Sequence, residues 1–271
     1  MSEMKIPFER KQAMVLLASY NMKGGVGKTA AAVNLAYLSA QQGFKTLICD
    51  LDPQGAASFY FRVDTDVKKG YRIFLDPHSL DSYTKASNFP NLYVLPADFS
   101  YRKLDAAFEA KKEWRTVFLK KMRALRQLYD VIIIDSPPNL TLTTEQIFLV
   151  TDAIISPIIP TTLSLRTLGQ LKRFISKKGR FKGQLLPFFS LVESRKKLHR
   201  QIVHFTHAGK VPGLPNFLKT WIPYLSEVEK MGTYRAPLVH VNPGSRASKT
   251  FTSLWDEIKK ATALEREQAE N

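Results

Sequence analysis

Cysteine is nearly absent: Cys49 is the only one in 271 residues. That excludes an intrachain disulfide and a cysteine-ligated metal cluster, and it suits a reducing compartment. Long apolar runs are missing too. No stretch reaches the roughly 18 uninterrupted apolar residues of a spanning helix. The opening residues 1–12, MSEMKIPFERKQ, are charged and lack the apolar centre of a signal peptide. Acid is scarce relative to base. Forty Lys and Arg stand against 24 Asp and Glu, a formal charge of +16, with a pI near 9.8. Such an excess points to a polyanionic partner, either nucleic acid or an anionic membrane surface. The base is also clustered: residues 172–182 (KRFISKKGRFK) and 195–200 (RKKLHR) carry it without an acidic residue in either stretch.

What is present is an alternation of short apolar runs and longer helical patterns, which predicts a parallel sheet covered by helices. Strands are expected at 13–19, 45–50, 92–96, 131–135, 153–159, 185–192 and 219–223, most of them apolar throughout, as strands buried on both faces are. Helices are expected at 28–42, closed by Gly43, and at 101–128, 140–150, 163–178, 197–207 and 247–265. Residues 62–91 read as an irregular polar surface excursion. With no repeat or convincing linker, 1–271 reads as one domain, with 1–12 a short extension and 247–271 a C-terminal helix and tail.

Residues 21–29, NMKGGVGKT, lie between an expected strand and an expected helix. Gly24, Gly25 and Gly27 allow backbone N–H groups to turn inward on phosphates, and the helix start adds its partial positive charge. Lys28 is placed to reach β- and γ-phosphates and the Thr29 hydroxyl to ligate Mg²⁺. The pattern departs from the general phosphate loop: Met22 occupies the first glycine position, and an extra lysine, Lys23, stands inside the loop. Acidic residues are expected at other strand ends. Asp135 closes the apolar run in YDVIIIDSPP, and Asp50 and Asp52 close that in ICDLDPQG. Asp135 suits Mg²⁺, held through its water shell.

KGGVGKT, DLDPQGAAS and YDVIIIDSPPNL, in this order, resemble the ParA/MinD group of P-loop ATPases. NLYVLPADFSYRKLD, PIIPTTLSLRTLGQL and the stretch from FLKTWIPYL to NPGSRAS extend the resemblance over roughly 13–255. It implies a single-domain α/β P-loop NTPase with a mostly parallel, twisted sheet of about seven or eight strands and helices on both faces. It also implies Mg²⁺-dependent ATP hydrolysis in a cytoplasmic, nucleoid-associated protein. Residues 23–30 (Lys23, Gly24, Gly25, Val26, Gly27, Lys28, Thr29 and Ala30) would surround the nucleotide. Lys23 would act across a homodimer on the nucleotide of the other subunit. Asp52 would orient the attacking water and, with Thr29 and Asp135, serve the metal, the aspartates through water. Pro223 would lie by the adenine. Ala30 departs from the family, where most members have a second threonine, but its backbone N–H is retained.

The branch of the family follows from the tail and the basic clusters. A membrane branch, MinD-like, needs a basic amphipathic C-terminal helix. Phe251, Leu254, Trp255, Ile258 and Leu264 do form an apolar stripe, but only Lys259 and Lys260 flank it and the last seven residues are acidic on balance. A docked helix is expected there instead. The partition branch binds nonspecific double-stranded DNA as an ATP-bound dimer, with a ParB-like partner or cargo adaptor stimulating hydrolysis. Arg173, Lys177, Lys178, Arg180, Arg195, Lys196, Lys197 and Arg246 are the candidate DNA contacts. Only about a dozen residues precede the first strand, so the operator-reading domain of longer members is not expected. An ATP-gated scaffold with little turnover is a further possibility. His204 and His207 lack a third ligand for a metal.

Overall fold

A computed structural model describes residues 14–64, 70–75, 78–179 and 181–264. In chain order its elements are β1 (Val15–Ser19), α1 (Lys28–Gln41), β2 (Thr46–Asp50), α2 (Ala56–Tyr60), β3 (Lys85–Ala86), β4 (Leu92–Leu95), α3 (Leu104–Ala110), α4 (Glu113–Leu125), β5 (Val131–Asp135), α5 (Leu142–Val150), β6 (Ala153–Ile158), α6 (Thr162–Lys178), β7 (Gln184–Phe189), α7 (Lys197–His207), α8 (Ser226–Glu229), α9 (Met231–Tyr234), α10 (Leu238–Val241) and α11 (Arg246–Thr262). Three short 3₁₀ turns lie at Gly70–Phe74, Leu80–Tyr83 and Phe99–Lys103. The seven strands form one sheet in the order β3-β4-β2-β5-β1-β6-β7. Every pair is parallel except β3 with β4.

The central strands are buried along their whole length, so each contributes side chains to both faces of the sheet. On one face α1, α2, α10 and α11 cover Leu17, Ile48, Ile133 and Ile155. On the other, α3, α4 and α5 cover Leu16, Leu47, Ile132 and Ile154. This single α/β domain has the architecture that the sequence predicts. α11 is docked: Phe251, Leu254, Trp255 and Ile258 are buried, and Trp255 Nε1 donates to Gln42 Oε1 at 3.0 Å.

Four expectations are corrected. The expected helix 101–128 is a 3₁₀ turn followed by α3 and α4, because Lys111 is extended (φ −142°, ψ 113°) and breaks the helix. Residues 219–223 are not a strand. The N–H groups of Lys219 and Thr220 are taken by the Glu257 carboxylate, so they cannot join a ladder. The segment still caps the sheet edge, with a single bridge between Val192 and Pro223 and Ile222 N donating to Phe189 O. β7 itself ends at Phe189, short of the expected 192, where Leu191 turns left-handed (φ 54°). Finally, 62–91 is not only a polar excursion: Ile73, Phe74 and Leu80 are buried in the α3–α4 core.

Candidate nucleotide site and basic flank

The loop joining β1 to α1 is pinned at its start. Asn21 Nδ2 donates to Pro157 O at the end of β6 (2.7 Å), and Asn21 Oδ1 accepts from Lys23 N (2.8 Å). Gly25 and Gly27 are left-handed, with φ 69° and 95°. A side chain at Gly27 would place Cβ 2.9 Å from Ser190 Oγ, whereas Gly24 and Gly25 face open space. The loop is thus tight at its base and roomy at its lip. Val26 is buried beneath it. α1 begins at Lys28 without a side-chain cap and without acid in its first turn. Its first N–H groups therefore remain available to an anion.

Lys28 points into this loop, Nζ donating to Lys23 O at 3.1 Å, and is 7% exposed. Burial lowers its pKa, while Asp135 and Asp52 pull it back up. Lys23 is half-buried and reaches away from the loop, its Nζ 3.5 Å from Ser164 Oγ in the first turn of α6. Two lysines of one loop therefore face different surroundings.

Parallel pairing sets Asp50 of β2 beside Asp135 of β5, and Asp135 beside Ser19 of β1. Both aspartates are fully buried. Asp50 accepts the N–H and hydroxyl of Ser58 on one oxygen, each at 2.7 Å; its other oxygen is unpartnered. Neither Asp135 oxygen makes a hydrogen bond of regular geometry, although the Thr29 hydroxyl is near enough to counter part of its pKa rise. Burial first, then the Asp50 charge, raises Asp135 well above the carboxylate range. Burial likewise pushes Asp50 up to about 6 despite its two bonds from Ser58. Asp52, half-buried one turn onward, accepts from Gln54 N at 3.0 Å.

Unpartnered buried carboxylate oxygens are costly unless a cation or donor meets them. Beside the Thr29 hydroxyl, they are the hard oxygen donors magnesium takes. No cluster of three acidic, His or Cys ligands exists among the described residues, so a metal here would complete its shell with water and phosphate. Magnesium ordinarily does so, and the residues fit it. Pro223 is buried beside the end of β7.

The basic candidates gather on the β7 flank. α6 and α7 pack through Leu168 and Ile202 onto Ile158, Phe189 and Val192. Arg173 and Lys177 are exposed on α6, and Lys178 is its last residue. Arg195 and Lys197 are exposed around the start of α7, and Lys196 pairs with Glu193 at 2.5 Å. Arg246 opens α11 with its guanidinium 5.7 Å from the Trp221 ring. Lys219 and Lys249 line the same open groove. Arg180 lies outside the described residues. Lys172 is diverted to structure, its Nζ bound to the carbonyls of Gly213 and Leu214.

Residues 14–185 match a family model described as an AAA domain, and that span covers the loop, both acidic strand ends and six of the strands. The chain belongs to this family, as a ParA-like ATPase. It is 27% identical over 252 residues to the sporulation initiation inhibitor protein Soj of Bacillus subtilis (strain 168), covering 90% of this chain and 97% of that protein. It is 28% identical over 253 residues to the chromosome partitioning protein ParA of Myxococcus xanthus (strain DK1622), covering 89% and 86%. A Cyanothece McdA variant in its ATP complex shares the fold: TM-score 0.79, 18% identity, 94% of this chain and 98% of that one.

In this ParA-like ATPase the loop residues, Asp52 and Asp135 come together at one end of the sheet. The basic candidates form a separate surface. The site also holds residues that motif spacing did not single out. Ser58 fixes Asp50, Ser164 faces Lys23, and Ser190 lies against Gly27. Asp50 carried a signal, its strand-end position, and Ser58 closes the same DLDPQGAAS stretch eight residues on; Ser164 and Ser190 arrive through tertiary packing.

Proposed function

We propose that two copies of the chain close around ATP and that the ATP-bound dimer holds nonspecific double-stranded DNA on its β7 flank. A ParB-like or cargo-adaptor partner then stimulates hydrolysis and release. Cycling of this kind partitions or positions a DNA or protein cargo on the nucleoid. The observation that supports the dimer is the division between the two lysines. Lys28 is buried against its own loop near Asp135, while the half-buried Lys23 reaches away from that loop to the first turn of α6, 3.5 Å from Ser164 Oγ, a long contact that in this reading it exchanges for a neighbouring subunit's nucleotide.

In this reading the N–H groups from Gly24 to Ala30 bind phosphate and Lys28 neutralises its charge. Thr29 would hold magnesium, with Asp135 and Asp52 serving it through its water shell, and the bound ion would supply neutralisation of phosphate charge. Asp52 also orients the attacking water, Pro223 borders the adenine, and Lys23 adds a cation in trans where charge develops. Arg173, Lys177, Arg195, Lys196, Lys197 and Arg246 on the flank, with Lys178 and Arg180 from the same basic stretches of sequence, supply phosphate contacts, which attract DNA without reading sequence. A membrane-surface role has less support, since the apolar stripe of α11 is spent on the core.

A gel shift with duplex DNA of arbitrary sequence tests the proposal. Retardation is expected with ATP and not with ADP or without nucleotide; binding that ignores nucleotide, or none at all, sinks it. ATP-dependent pelleting with anionic liposomes would favour the membrane role. ATPase rates with and without the partner separate a cycling enzyme from a scaffold.

A further inference from the structure

A second concavity, of about 640 Å³, opens on the α1 face between the end of α1, the end of α2, the turn before β4 and the segment leading into α10. It shares no lining residue with the phosphate loop or with Asp50, Asp52 and Asp135. One wall is aromatic. Tyr37, Phe89 and His240 meet edge to face with ring centroids 4.9–5.6 Å apart.

The charge of this cavity is one-sided among its described lining residues: Arg62 and Arg235 line it, and no described Asp or Glu does. Each arginine is clasped by the main chain of the other's segment. Arg62 Nη2 donates to Tyr234 O, and Arg235 Nε donates to Phe59 O, both at 3.1 Å. Arg235 also lies 4.4 Å from the Phe59 ring centroid. Carbonyls and a ring orient guanidinium groups without neutralising them. A guanidinium has five N–H donors, so each keeps most of its donors for something else.

Left-handed backbone gathers at the same place. Among the described residues five non-glycine positions are left-handed, and three of them, Arg62 (φ 56°), Asn91 (φ 62°) and Arg235 (φ 49°), line this cavity. Arg62 and Arg235 close α2 and α9, where a left-handed residue commonly ends a helix, so two helix ends fix where both guanidinium groups start. We propose that the cavity is a second anion site, taking a phosphorylated small molecule with a flat ring. Arg62 and Arg235 grip the phosphate, and the ring packs against Phe89 and its aromatic neighbours. Guanidinium forks match phosphate geometry, and edge-to-face rings favour a flat partner.

The test silences the phosphate loop with Lys28→Ala and titrates that chain with AMP by calorimetry, with adenosine and inorganic phosphate as half-ligands. Saturable AMP binding is expected, tighter than either half-ligand. Arg62→Gln or Arg235→Gln in the same background should weaken it by roughly tenfold or more, the loss of one charge-assisted contact. Circular dichroism melts check that the variants fold. If the glutamine variants do not fold, Arg62→Lys keeps the charge, loses the fork and should also bind more weakly. The same AMP titration of the unaltered chain, saturated with a non-hydrolysable ATP analogue, should give the same second site. Absence of AMP binding in the Lys28→Ala chain overturns the proposal. So does binding indifferent to both arginines, or AMP binding only where the phosphate loop is free.

Discussion

The nucleotide end of the sheet and the β7 flank treat charge in opposite ways. At the nucleotide end Lys28, Asp50 and Asp135 are buried, and several of their polar atoms lack partners. There a small number of charges acts strongly, because little solvent screens them. On the flank Arg173, Lys177, Arg195 and Lys197 are exposed. Each contributes little alone, and salt screens them all. The first region is built for one ligand in one geometry. The second suits a repeating polyanion in many registers.

This contrast can be broken in several ways, the largest effect first. Lys23→Gln should lower partner-stimulated turnover by on the order of 10³–10⁵ while ATP binding persists; equal stimulated rates in the two proteins would remove Lys23 from the chemistry. Raising salt from 50 to 200 mM should weaken DNA binding by the ATP form by roughly 10³, if about six phosphates are contacted. ATP affinity, measured alongside, should change far less, because its charges are buried. On the flank, Arg195→Ala and Lys197→Ala should each reduce the slope of log affinity against log salt by about 1. A slope unchanged by both would place the DNA elsewhere.

The smallest effect concerns pH. Burial raises Asp50 to about 6 and also lifts Asp135 well above the ordinary carboxylate range, so the folded chain binds protons that the unfolded chain has released. Without nucleotide, stability is therefore greatest at low pH and falls as pH rises from the ordinary carboxylate range through 6. Between pH 5.5 and 7.5 the Asp50 contribution falls by on the order of 1 kcal/mol. Urea midpoints at the two pH values measure it. Asp50→Asn should flatten the dependence and stabilise the empty protein at pH 7.5, and a variant that keeps the full dependence would contradict this assignment.

The same division governs how much was legible in the sequence. β1, β2, β4, β5 and β6 lie within a residue or two of their apolar runs, because a strand buried on both faces leaves an unbroken signature. The phosphate loop and the strand-end aspartates were legible for a related reason: local spacing alone places them. α2, α8, α9 and α10, at four or five residues each, are too short to show a helical period. The break at Lys111 was invisible because the pattern runs on through α3 and α4. The Glu257 carboxylate that keeps 219–223 out of the sheet lies 37 residues beyond Thr220. Ser164 and Ser190 likewise enter the site from afar, whereas Ser58 lies only eight residues from Asp50. On the flank, clustering was legible but individual roles were not: Lys172 reads like its neighbours, yet it holds the carbonyls of Gly213 and Leu214.

The central claim is that the extra lysine makes this loop a site for two subunits. Light-scattering mass, measured with a non-hydrolysable ATP analogue and with ADP, tests it most directly. The account predicts about twice the 30.8 kDa chain mass with the ATP analogue and a single chain with ADP. A single chain under both conditions, at concentrations that saturate the nucleotide site, would contradict it.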